Sequence, residues 1–72
     1  MTELHARYDR RADVLYLYTD MNAPATAAED ERGIVWRYRA DKEPVGATIV
    51  DFRESWDGRM AELAKALSEQ FH

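Results

Sequence analysis

The sequence predicts an α+β fold: a four-stranded antiparallel, meander-like sheet with one C-terminal amphipathic helix packed on one face. Three observations carry that expectation. Four segments are rich in Val, Ile, Tyr, Trp and Thr, residues that suit a pleated, half-buried surface. The connections within the first and the last pair of segments are far too short for a parallel crossover, so these pairs run antiparallel. Near the C-terminus the apolar residues switch to a helical period.

The strands are expected at about residues 3–8, 13–19, 33–39 and 45–52. Asp9-Arg10-Arg11-Ala12 closes a tight hairpin between the first two, and Ala40-Asp41-Lys42-Glu43-Pro44 closes another between the last two. Residues 20–32 read as a loop. Pro24 opposes a helix through it, Glu29-Asp30-Glu31 forms a solvated bend, and a short helical turn at 25–29 is the one regular element it admits. Gly46 marks a bulge or a close-packing position within the last strand.

The helix is expected over about residues 55–71, with Ser55 or Asp57 as its N-cap. Met60, Leu63, Ala64, Leu67 and Phe71 make one apolar stripe, and Arg59, Glu62, Lys65 and Glu69 take the other side. Lys65 can meet Glu62 or Glu69 there. Gly58 sits near the predicted helix start and weakens it by about 1 kcal/mol relative to Ala. All of this makes a single domain over residues 1–72, with the sheet at about 3–52.

Composition narrows function. The chain has 72 residues, a net charge of -4 and no cysteine. An acidic balance opposes nucleic-acid binding, where phosphate neutralisation supplies most of the affinity. Tyr16, Tyr18, Trp36 and Tyr38 beside Arg37 and Arg39 could stack bases, but core or interface packing is the commoner use of such aromatics. Without cysteine there are neither disulfides nor thiolate ligands. His5 and His72 stand at opposite ends, which argues against a His-rich metal centre. No apolar run approaches a membrane span, and the first residues lack the basic and apolar regions of a signal peptide, so a cytoplasmic location is expected. Neither Ser55 nor Ser68 lies in a nucleophile elbow, and the scattered glycines form no phosphate loop. The expectation is therefore a protein that is not an enzyme and holds no cofactor.

A domain this short buries only about 60% of its unfolded surface, so a partner is a natural source of added stability. One helix covers one sheet face. Leu15, Leu17, Ile34, Trp36, Ala47 and Ile49 are expected beneath it. Val14, Tyr16, Tyr18, Val35, Arg37, Val50 and Phe52 then form a second face, beside Thr48, that is too apolar for plain solvation. That face is the candidate interface of a homodimer. The alternative site is a cluster of the turn carboxylates Asp9, Asp13 and Asp51, which could hold a small ligand or a divalent cation. The simpler reading is that Asp9 and Asp13 accept backbone N–H groups in the turn and that Asp51 sits near the helix start.

The run Tyr8-Asp9-Arg10-Arg11-Ala12-Asp13-Val14-Leu15-Tyr16-Leu17 resembles the opening motif of the small prokaryotic family called domain of unknown function 2283, roughly Tyr-Asp-x-x-Ala-Asp-x-Leu-Tyr-Ile. Residues 33–38 and Val45-Gly46-Ala47-Thr48-Ile49 are similar to its second half, and the resemblance covers about residues 4–52. Arg39 stands where the family often has Asp, Lys42 where it often has Gly, and Thr48 where it often has an acid. The resemblance implies a compact β-rich domain with no established activity, so no catalytic residue carries over. It also implies an antitoxin-like accessory role, with a small protein as partner.

Overall fold

The computed structural model describes residues 3–20 and 24–71. It is an α+β fold with β1 at His5–Asp9, β2 at Val14–Tyr18, β3 at Thr26–Glu29, β4 at Ile34–Tyr38 and β5 at Pro44–Val50. A short helix α1 at Phe52–Trp56 and a longer helix α2 at Met60–Gln70 follow. Of the expected loop, residues 21–23 lie outside the described residues, as does His72.

The sheet has five strands, not four, in the order β1-β2-β5-β4-β3, with every pairing antiparallel. It is not a simple meander, because the last strand inserts between β2 and β4. The extra strand, β3, replaces the helical turn expected at 25–29. Alanine favours helix when isolated. Here pairing with β4 overrides that preference, joining Thr26 to Tyr38 and Glu29 to Val35.

One device closes all three hairpins. Shortly before the return strand, one residue adopts a left-handed backbone: Asp13 at φ 56°, Gly33 at φ 86° and Lys42 at φ 68°. An aspartate at the turn's start or centre accepts backbone N–H groups: Asp9 from Arg11 and Ala12, Asp30 from Arg32 and Ile34, Asp41 from Glu43. Lys42 is the residue least suited to its position, since a Cβ is strained there. Lys42→Gly is expected to raise stability by about 0.5–1 kcal/mol, seen as a rise of a few degrees in melting temperature.

The predicted single helix is broken in two. Asp57 at φ -60°, ψ 126° and Gly58 at φ 78° form a tight turn, closed by the Arg59 N–H donating to the Trp56 carbonyl at 2.8 Å. These values match a type II turn, which needs glycine at its third position and so accounts for Gly58. Neither Ser55 nor Asp57 is a helix N-cap: Ser55 lies within α1 and Asp57 is its C-cap, whereas α1 starts from Asp51 at φ 54° and α2 from Arg59.

The core lies between α2 and one sheet face. Leu17, Ile34, Trp36, Ala47, Ile49, Trp56, Leu63 and Ala66 form it, with Leu15, Tyr38, Phe52, Leu67 and Phe71 packed against them. The expected set beneath the helix is therefore found there. On α2 the stripe shifts slightly: Ala66 is buried, whereas Ala64 and Met60 are exposed. Glu62 pairs with Arg59 at 3.0 Å rather than with Lys65. Gly46 is a close-packing position, since a Cβ there would stand 3.0 Å from the Leu17 carbonyl oxygen, and the β4–β5 register shifts nearby, between Arg37 and Tyr38.

Candidate functional site

Register decides which residues share the face turned away from the helices. Directly paired residues in a sheet point the same way. One cross-strand row on that face reads Arg7, Tyr16, Thr48, Val35, Glu29. A second reads His5, Tyr18, Gly46, Arg37, Ala27. Asp9, Val14 and Val50 form a third, shorter row.

This face carries six of the seven candidate interface residues: Val14, Tyr16, Tyr18, Val35, Arg37 and Val50. Val14 is buried, the tyrosines, Val35 and Arg37 are half-buried, and Val50 is 47% exposed. The His5 ring stacks on Tyr18 at 5.5 Å. The Cβ and Cδ of Arg37 lie over Gly46, where a side chain would otherwise stand. Phe52 is the exception and does not belong to this face. The left-handed turn at Asp51 ends the strand, so Phe52 opens α1, packs against the core and meets Tyr8 edge-on at 5.7 Å.

Sheet alternation also splits the four aromatics considered for base stacking. Trp36 is buried on the helix side, 5.8 Å from Phe71, and Tyr38 packs against the same core. Only Tyr16 and Tyr18 share the open face.

The turn carboxylates do structural work. Asp13 accepts the Tyr8 hydroxyl at 2.7 Å, the Arg53 N–H at 2.9 Å and the Glu54 N–H at 3.3 Å. Its own carbonyl accepts the Phe52 N–H at 2.9 Å. Asp13 thus caps α1 from the β1–β2 turn, satisfying N–H groups that a helix start leaves orphaned. The Arg53 N–H and then the Tyr8 hydroxyl hold its carboxyl below the usual carboxylate range, and the bond to Asp13 pushes the Tyr8 hydroxyl up. Asp9 is occupied with its own turn, and Asp51 makes no side-chain cap. Among the described residues, no three His, Cys, Asp or Glu side chains are placed to hold a metal ion. A shallow groove of about 630 Å³ runs beside Asp13, between Arg10 and the Phe52-Arg53 start of α1.

Asp30 is a structural residue, not part of a merely solvated bend. Its carboxylate accepts the Trp36 indole N–H at 2.9 Å and the Arg32 and Ile34 N–H groups at 2.8 and 3.0 Å. Burial opposes its ionisation, but these bonds outweigh it, so its carboxyl stays below the ordinary value. The signal available in sequence is the spacing of Asp30, Gly33 and Trp36: a turn-forming Asp, a glycine and a ring needing an acceptor.

These features define a class: a small antiparallel-sheet domain, helices on one face, the other face open, with turn aspartates locking the hairpins and the first helix. A family model described as a protein of unknown function (DUF2283) matches residues 5–53, and the chain belongs to that family. The match runs from the start of β1 to Arg53, the residue whose N–H Asp13 holds. α2 lies beyond it, although Leu63 and Ala66 complete the core. No curated protein and no solved structure matches the chain. Among the described residues, no helix is long and apolar enough to cross a membrane.

Proposed function

We propose that this protein is a non-enzymatic interaction module that works as a homodimer through its open sheet face. One observation carries the reading: Tyr16, Tyr18, Val35 and Val50 share the sheet face opposite the one that packs against the helices. An uncovered sheet face of this composition gains stability by meeting another surface, and a small domain benefits most from such help. An antitoxin-like accessory role for a small cytoplasmic partner is the more specific form of the same reading.

Tyr16 stands beside the centre of the longest row. Tyr16→Glu would bury an unpaired carboxylate in the dimer, which is strongly unfavourable. The expected result is a dissociation constant raised at least about a hundredfold, or about 3 kcal/mol, read by sedimentation equilibrium. A variant that stays as dimeric as the native chain while keeping its melting temperature removes this face from the interface.

A further inference from the structure

We propose that the two open faces pack about a two-fold axis lying along β5, so that Arg7 of one copy meets Glu29 of the other at both rims. The inference rests on the homodimer reading and adds its geometry. Its basis is the charge order along the longest row. Arg7 stands on the edge strand β1 and Glu29 on the opposite edge strand β3, with Tyr16, Thr48 and Val35 between them. Both rim residues are exposed, and neither has an ion-pair partner in its own chain among the described residues. The row is basic at one end, acidic at the other and uncharged in the middle.

A symmetric dimer must match this row to itself, since an isologous interface uses the same patch twice. Two in-plane axes keep the strands aligned. An axis across the strands lays each row end on its own copy, setting Arg7 on Arg7 and Glu29 on Glu29. An axis along β5 reverses the row, so each Arg7 meets a Glu29. The same operation lays Tyr16 over Val35 of the second copy and Tyr18 over Arg37, where the guanidinium can face the ring. At the centre β5 meets β5 at Thr48, with the Arg37 stem already lying over Gly46. Twisted sheets cross at about 30°, which offsets each rim pair by only ~5 Å at two strand spacings from the axis, within reach of an arginine.

Charge reversal tests the axis. Arg7→Glu and Glu29→Arg should each weaken the dimer about tenfold or more at low salt, by placing like charges at both rims. The double variant, carrying both substitutions, should recover to within about threefold of the native affinity. The decisive arm mixes the native chain with the double variant. About an axis along β5, each self-associates with opposite charges at the rims, whereas a mixed pair sets like charge on like. The two chains should therefore sort, with heterodimers at least about tenfold weaker than either homodimer. An axis across the strands reverses the outcome and favours the mixed pair. Circular dichroism confirms that each variant folds. Unaffected single variants, or heterodimers as tight as the homodimers, overturn the axis while Tyr16→Glu still dissociates the dimer. If Tyr16→Glu is also without effect, the face itself is wrong.

Discussion

Trp56→Ala is expected to cost about 3–5 kcal/mol and to leave the chain largely unfolded at 25 °C. Trp56 is 2% exposed and is the largest fully buried side chain. It sits in α1, the five-residue helix joining the sheet to α2, and belongs to the same core cluster as Ile49 and Leu63. Its removal leaves a cavity where those elements meet, and a five-residue helix has no stability of its own to offset the loss. The Arg59 guanidinium, 4.5 Å above the ring, also loses its platform. Small domains hold only about 5 kcal/mol or somewhat more in total, so the loss is comparable to the whole. Urea denaturation at fixed protein concentration checks it, and Trp56→Phe should retain most of the lost stability.

Asp30→Ala is expected to destabilise the chain by about 2–3 kcal/mol. The substitution removes the acceptor of three donors, two of them on the β4 segment. The Trp36 indole N–H is the costly one, because Trp36 is 3% exposed and loses its carboxylate acceptor. Asp30→Asn keeps an acceptor oxygen and should lose much less. The pH dependence has a definite sign. The carboxyls of Asp30 and Asp13 are both held below their ordinary values in the folded chain. Their stabilisation is fully present above the unfolded value of about 3.9 and is lost as pH falls through the folded values. The melting temperature should therefore drop below about pH 4, and by less in Asp30→Asn. A flat profile from about pH 5 to about pH 2 would contradict both assignments.

The contrast between Asp9 and Asp13 shows what is legible in the sequence. Asp9 acts within its own turn, as its position implies. Asp13 holds Arg53, a residue 40 positions away, and no local pattern encodes that contact. The same limit applies to the sheet. β1, β2, β4 and β5 stand out by composition, and the helix-side residues follow from alternation. β3 carries two alanines and no β-branched residue except Thr26, so only its pairing to β4 reveals it. That β5 lies at the centre follows from packing, since short hairpins fix only neighbours in sequence. Trp56 lies ahead of the apolar stripe of α2 and just before the turn at Gly58, so the helical period does not point to it. Strand alternation assigns Phe52 to the open face, but the left-handed backbone of Asp51 interrupts that alternation one residue earlier.

Whether the open sheet face joins two copies of this chain is tested most directly by intermolecular NOEs in an equimolar mixture of ¹³C-labelled and unlabelled protein. The expected contacts between copies fall on the open face, at Tyr16, Tyr18, Val35, Thr48 and Val50 between the Arg7 and Glu29 rims, with Val35 methyl groups reaching the Tyr16 ring of the second copy. Contacts that instead map to the outer side of α2, or a sample that yields none and sediments as a monomer, would contradict the dimer.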